Sequence, residues 1–149
     1  MPFRFPLQSL LRSRQSVEHH EQTQLEIANQ KVADMRDKIE SLEQSRDLRN
    51  ESQRHGLNAG LTGAELQFDL LCNGALASYR KNLEKDLSQL EKLRDQQYEV
   101  FRRARLQREI LESVRDGQLR EYRAQKTRRD QRSLDDLFLM RREFLRRER

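Results

Sequence analysis

The chain has 149 residues, of which 37% are charged and 34% hydrophobic, and it contains no tryptophan. This composition, rich in Glu, Gln, Arg, Lys and Leu, is typical of coiled coils and long helices and excludes a compact core of ordinary size. The formal net charge is +5. We therefore expect an all-α, elongated protein that forms a single domain over residues 1–149.

The N-terminal segment, residues 3–12, is unusually apolar for this sequence. Pro6 suits the first turn of a helix, because its missing N–H is not needed there. No apolar run is long enough for a signal peptide or for the ~18 residues of a membrane span. The single cysteine cannot form an intramolecular disulfide. We expect the protein to stay in the cytoplasm.

The first helix is predicted over about residues 6–55. Its apolar residues alternate in spacing between three and four, which is the heptad pattern of a coiled-coil seam, the line along which two helices bury their side chains. The clearest stretch of this seam contains Leu25, Ala28, Val32, Met35, Ile39 and Leu42. Arg14, Glu18 and Glu21 interrupt the seam on one side, and Arg46 and Arg49 on the other.

Three of the five glycines, Gly56, Gly60 and Gly63, lie close together. Glycine costs about 1 kcal/mol relative to alanine inside a helix, so this cluster predicts a turn over residues 56–63. Thr62 and Glu65 have the spacing of a capping box, which marks the start of the next helix. We predict an antiparallel two-helix hairpin. The alternatives are one long kinked helix and two diverging helices.

The second helix is predicted over about residues 64–146, so it is the longer of the two. Its seam is interrupted by Arg80, Arg94, Gln97 and Arg108. The apolar residues assigned to this seam are Leu66, Leu70, Leu76, Leu83, Leu87, Leu90, Phe101, Ala104, Leu111 and Tyr122.

The lengths of the two helices predict an overhang. Folding about the turn places residue i opposite roughly residue 119 minus i, so Leu7 lies near Glu112 and the chain from about Val114 has no internal partner. At 1.5 Å per residue this overhang is about 50 Å long. Residues 120–149 contain 11 Lys and Arg against 6 Asp and Glu, which accounts for the whole net charge.

The overhang also carries apolar residues at helical spacing. A basic amphipathic helix with no internal partner should bind another molecule. The alternative is a frayed, solvated C-terminus. The apolar residues concerned are Leu134, Leu137, Phe138, Met140, Phe144 and Leu145.

Motifs for enzymatic chemistry are not found. The glycines match no phosphate-binding loop, and His19 and His20 lack a carboxylate at the spacing of a zinc motif. A two-helix hairpin offers no water-excluding cavity. We therefore expect no enzyme activity, no catalytic residue, no cofactor and no metal.

A second apolar stripe follows the predicted turn. Phe68, Cys72, Ala75 and Tyr79 are spaced by four, three and four residues, which places them on one face of the second helix. We expect this Phe68 stripe to be an exposed docking surface. The alternative is that the buried face of the helix changes here, so that these residues belong to the core.

Taken together, the N-terminal segment, the glycine-rich turn, the longer basic second helix and residues 131–137 resemble FliJ, a flagellar export component. The resemblance implies a coiled coil similar to the stalk subunit of rotary ATPases. It also implies three partners: the hexameric export ATPase FliI, the export-gate membrane protein FlhA, and export chaperones. The protein would then lie in the cytoplasm, peripheral to the inner-membrane export apparatus.

The resemblance assigns two candidate surfaces. The export-gate surface comprises Leu42 and the Phe68 stripe, although Ser45 and Arg49 stand where aromatic residues are expected. For the ATPase ring, the charge and apolar content of the overhang point to the terminal end of the hairpin. The residues assigned to the ATPase surface are Phe3, Phe5, Leu7, Arg128, Arg129, Leu134, Phe138 and Leu145.

Two other functions stay open at this point. One is the equivalent stalk of a virulence type III secretion system. The other is a basic coiled-coil scaffold that binds nucleic acid through clustered arginines such as Arg128 and Arg129, with strong salt dependence. Because these arginines are not interleaved with stacking aromatic residues, we expect no nucleic acid as a partner. We also expect no small-molecule substrate.

Overall fold

The computed structural model describes residues 2–147. It contains two α-helices, α1 over Gln8–Ala59 and α2 over Gly63–Arg147, and no strand is present among the described residues. At 85 residues against 52, α2 is the longer helix. The prediction of an all-α fold with a longer second helix is confirmed.

The turn is shorter than the sequence suggested, because α1 runs through Gly56 and ends at Ala59. A Cβ atom at Gly56 would lie 3.0 Å from Cδ1 of Leu61, so this glycine makes room for the Leu61 side chain. The reversal occurs at Gly60, which has a positive φ of 91°. Glycine adopts that conformation without the steric cost that a Cβ atom imposes. The predicted turn over residues 56–63 is thus corrected to residues 60–62.

The start of α2 is stabilised by the predicted capping box. The Thr62 backbone N–H donates a hydrogen bond to Oε2 of Glu65 over 2.8 Å, and the Glu65 N–H donates to the Thr62 hydroxyl over 3.4 Å. Each side chain thereby satisfies a backbone N–H that a helix start leaves open. The same contacts lower the pKa of Glu65, with the backbone hydrogen bond from Thr62 as the main cause.

The contacts divide the chain into two compact units. The terminal unit comprises Met1–Glu18 and Ala104–Arg149, and the turn unit comprises His19–Arg103. Each unit contains a part of α1 and a part of α2. A single domain over residues 1–149 remains a prediction.

In the turn unit, the two helices run antiparallel and bury Val32 and Leu83 between them. The seam predicted for α1 over residues 25–42 is buried or half-buried at each position. Ion pairs cross the seam between Arg36 and Glu91 at 2.6 Å and between Arg80 and Glu43 at 2.5 Å.

The inner face of α2 close to the turn differs from the prediction. Leu70 is 63% exposed and Leu66 also lies at the surface, whereas Asp69 and Asn73 are half-buried. The reason is the heptad spacing, because the three-four alternation that includes Leu76 continues backwards through residues 73 and 69. The assignment of Leu66 and Leu70 to the seam was wrong.

In the terminal unit, Leu11 is fully buried, and Phe5 and Ala104 are nearly so. Polar side chains occupy the neighbouring seam positions: Arg14 donates a hydrogen bond to Gln107 over 2.7 Å, and Glu18 forms an ion pair with Arg108. Arg14 and Glu18 therefore continue the seam with polar contacts. In the turn unit, Glu21 does the same by accepting a hydrogen bond from Gln97 over 2.6 Å.

The contacts of the terminal unit lie further along α2 than expected, from two residues at Arg14–Gln107 to eight at Gln15–Glu112. The expected register places Glu18 opposite Phe101, but Glu18 pairs with Arg108, seven residues further along α2. The ring of Phe3 likewise packs against the ring of Tyr122, further along α2 than expected. The part of α2 that lacks a covering partner therefore begins after Tyr122, and residues 123–147 are all exposed. The predicted start of the overhang at Val114 was too early.

Candidate functional site

The Phe68 stripe lies at the surface of the turn unit. The side chains of Phe68 and Tyr79 are 62% and 53% exposed, Ala75 is exposed, and Cys72 is half-buried. Aromatic side chains exposed to this extent are suited to anchor a protein partner. The exposure agrees with a docking surface, and the gate-binding role of these residues remains a prediction.

Of the four residues of the Phe68 stripe, only Tyr79 shares a groove with Leu42. Leu42 and Tyr79 line the same open groove of about 390 Å³, together with Ser45 and Leu83. The remaining stripe residues, Phe68, Cys72 and Ala75, do not line this groove. The surface assigned to the export gate is therefore built from both helices only around Tyr79.

Arg49, which stands where an aromatic residue is expected, points into the seam. It is half-buried, and its guanidinium lies 3.9 Å from the carboxylate of Asp69. Ser45 is exposed, and its hydroxyl donates a hydrogen bond to the backbone carbonyl of Ser41 over 2.9 Å. On this part of α1, only Leu42 among the candidate residues supplies an apolar side chain to the groove.

The sequence reasoning missed Leu71, which is exposed to about the same extent as Phe68. Leu71 follows Phe68 by three residues and therefore extends the apolar surface along the same side of α2. The spacing could have revealed it.

The second candidate surface is the C-terminal segment, residues 123–147. This segment contains 9 Lys and Arg against 4 Asp and Glu. Arg128 and Arg129 are exposed. All its large apolar side chains are exposed as well, including one that the sequence reasoning omitted, Leu139; the full set is Leu134, Leu137, Phe138, Leu139, Met140, Phe144 and Leu145.

The N-terminal residues assigned to the ATPase surface divide into two groups. Phe5 is almost fully buried and Phe3 is half-buried against Tyr122, with ring centroids 5.7 Å apart. Leu7 is exposed. Phe3 and Phe5 therefore pack against the protein itself, and among these three residues only Leu7, which is 39% exposed, lies at the surface.

The described part of the chain has neither a cluster of metal ligands nor a membrane-spanning segment. Within residues 2–147, no group of three or more His, Cys, Asp and Glu side chains is placed to hold a metal ion. Neither helix, over the same residues, has a segment long and apolar enough to cross a membrane.

Comparison with known proteins supports the resemblance drawn from the sequence. The family model described as "Flagellar FliJ protein" matches residues 3–149. Comparisons with curated proteins and with solved structures found no significant match. Since the family match covers essentially the whole chain, this protein belongs to the FliJ family of structural, non-enzymatic components of flagellar type III protein export.

Proposed function

We propose that this protein is a stalk-like component that couples a hexameric FliI-like export ATPase to an FlhA-like membrane export gate. The observation that carries the proposal is the C-terminal segment, a basic and apolar helix whose described residues 123–147 are all exposed. The flagellar family match favours the flagellar apparatus over a virulence secretion system.

The C-terminal segment is the proposed contact with the ATPase. It is helical throughout its described length, so it presents side chains without an ordering cost for the backbone. Arg128 and Arg129 steer association through long-range attraction, whereas Leu134, Phe138 and Leu145 hold the bound state through apolar contact. Leu7 adds a further exposed apolar side chain in the terminal unit.

The Phe68 stripe with Leu42 is the proposed contact with the export gate. Its aromatic members, Phe68 and Tyr79, are both exposed. An exposed aromatic anchor contributes to binding more than to packing. The protein would work in the cytoplasm, peripheral to the inner membrane, and export chaperones would be further partners.

The test is truncation after Tyr122. The shortened protein should lose stimulation of the hexameric ATPase and keep its affinity for the cytoplasmic part of the gate protein. The matched control is the variant Phe68→Ala in the full-length chain, which should show the opposite pattern. Full ATPase stimulation by the truncated protein would show that the C-terminal segment is not the contact.

A further inference from the structure

The large apolar side chains of the C-terminal segment lie on one side of α2, with Leu139 as the exception. Successive residues of a helix are turned by about 100°, so six of these side chains fall within about 160° of the helix circumference. Each of them is exposed. They form the C-terminal apolar face, which comprises Leu134, Leu137, Phe138, Met140, Phe144 and Leu145.

This face does not continue the seam with α1. In the terminal unit the seam of α2 contains Ala104, Arg108 and Tyr122, which fit the alternating spacing of three and four residues. Beyond Tyr122 the same spacing reaches polar residues, apart from Leu139. The residues reached are Gln125, Arg129, Arg132, Asp136, Leu139 and Glu143. The C-terminal apolar face therefore lies roughly opposite the side of α2 that contacts α1.

The position of the face determines the direction from which a partner binds. A helix that prolonged the hairpin would cover Leu139 and the polar residues of the continued seam, and it would leave Phe138 and Phe144 exposed. Apolar side chains that recur at three and four residues on one helix face typically dock into a groove of another protein. A partner must therefore approach from the side of α2 that faces away from α1.

Charge is also distributed unevenly around this part of the helix. Within residues 134–145, the acidic residues are Asp135, Asp136 and Glu143, and all three project away from the C-terminal apolar face. The face itself thus contains no carboxylate that could neutralise a cation buried against it.

Arg141 lies in the middle of the C-terminal apolar face. It follows Leu137 and Phe138 by four and three residues, and it precedes Phe144 and Leu145 by three and four. Residues three and four apart are neighbours on a helix surface, so a partner that covers these side chains also covers the guanidinium of Arg141. A guanidinium withdrawn from water needs a carboxylate to compensate its charge.

We propose that the C-terminal apolar face docks on an apolar surface of the ATPase that presents a carboxylate to Arg141. This inference rests on the ATPase contact proposed above, and it specifies the side of α2 and the chemistry of the partner. The C-terminal segment has 9 Lys and Arg against 4 Asp and Glu, so an acidic surface also complements its overall charge. A second copy of this chain fits less well, because its apolar face brings another Arg141 and no carboxylate.

Two adjacent residues on opposite sides of α2 provide the first test in the full-length chain. Phe138 and Leu139 are 69% and 54% exposed, so neither Phe138→Ala nor Leu139→Ala should change helicity or melting temperature. Phe138→Ala should raise the Kd for the hexameric ATPase roughly tenfold or more, whereas Leu139→Ala should change it less than about twofold. Surface plasmon resonance measures both constants, and equal effects of the two variants would refute docking through one side.

The adjacent residues Arg141 and Arg142 test the carboxylate. Replacing either by glutamine removes one positive charge, so both variants lose similar long-range attraction. Arg141→Gln should raise the Kd roughly tenfold or more, because it leaves a buried carboxylate unpaired, whereas Arg142→Gln should raise it about twofold. Equal effects would show general attraction in place of a specific pair.

Arg141→Met gives a second measurement of the same contact. It keeps an apolar side chain of similar length and should also weaken binding, because the carboxylate of the ATPase loses its partner. If Arg141→Met binds as tightly as the unchanged chain or more tightly, no carboxylate faces Arg141 and the proposed chemistry is refuted.

Truncation after Tyr122 separates this inference from the function on which it rests. If the truncated protein still stimulates the ATPase fully, the ATPase contact fails and this inference fails with it. If truncation abolishes stimulation but Phe138→Ala and Leu139→Ala bind alike, the ATPase contact stands and only the choice of face is refuted. Sedimentation velocity of the free protein covers the other partner: a dimer that Phe138→Ala dissociates would assign the face to a second copy.

Discussion

The ring of Phe3 packs against the ring of Tyr122, with centroids 5.7 Å apart and planes inclined by 49°. This contact marks how far the N-terminal segment extends along α2, because each described residue beyond Tyr122 is exposed. The described uncovered helix is thus 25 residues, or about 37 Å, instead of the expected 50 Å. A single aromatic pair therefore defines the boundary between the packed and the uncovered parts of α2.

The terminal unit should depend on Leu11. Leu11→Ala removes a fully buried side chain and should lower the free energy of unfolding by about 2–5 kcal/mol, measured by urea denaturation followed by circular dichroism. The matched control is Leu10→Ala, whose exposed side chain should contribute less than about 0.5 kcal/mol. Equal losses for the two variants would contradict the packing of this segment.

The Phe68 stripe should separate binding from stability. Phe68→Ala and Tyr79→Ala should each weaken binding to the gate protein while the melting temperature stays nearly constant, because both side chains are exposed. Leu83→Ala is the control: it removes a buried side chain and should lower the melting temperature. Isothermal titration and thermal melts measure the two effects. A large loss of stability for both aromatic variants would place the stripe in the core.

The C-terminal segment should show different kinetics for its charged and apolar residues. Arg128→Gln with Arg129→Gln should slow association with the ATPase and weaken its dependence on salt, because long-range attraction accelerates encounter. Leu134→Ala with Phe138→Ala should instead accelerate dissociation. Surface plasmon resonance at several salt concentrations separates the two rates. Identical changes in both rates for the two variants would argue against this division of roles.

The capping box should make the start of α2 sensitive to acid. The pKa of Glu65 is lowered in the folded protein, so the carboxylate stabilises the fold above its unfolded pKa of about 4.5. That contribution is lost as the pH falls through the lower, folded value. Circular dichroism melts from pH 6 to pH 2 should therefore show a stability difference between the native chain and Glu65→Gln that shrinks below pH 4.5. A stability difference that stays constant with pH would show that the charged form of Glu65 does not stabilise the start of α2.

Replacing Gly60 or Gly117 by alanine should change the free energy of unfolding in opposite directions. Gly60→Ala should destabilise the protein by about 1 kcal/mol, because the positive φ of 91° is strained for any residue with a Cβ atom. Gly117 lies within α2, and no atom lies within 4 Å of the position that an added Cβ atom would take. Gly117→Ala should therefore stabilise the protein by about 0.5–1 kcal/mol. Urea denaturation measures both, and a stabilising Gly60→Ala would refute the reversal at this residue.

The sequence alone was sufficient for those features that depend on neighbouring residues. The two long helices follow from heptad spacing, and the helix start at the turn follows from Thr62 and Glu65, whose interaction spans three positions. The exposure of the C-terminal segment follows from the difference in helix lengths. The first two are local properties and the third is a simple count, although the residue at which the uncovered segment begins depends on the contacts between the helices.

Only the tertiary structure decided the register, the inner face of α2 next to the turn, and the burial of Phe5. The expected register assumed a turn over residues 56–63, whereas the chain reverses over residues 60–62, so the contacts of α1 lie further along α2. Leu70 and Asp69 are adjacent in sequence, and which of them faces α1 depends on the phase that Leu76 and its neighbours impose. These choices are settled by contacts between residues far apart in the chain.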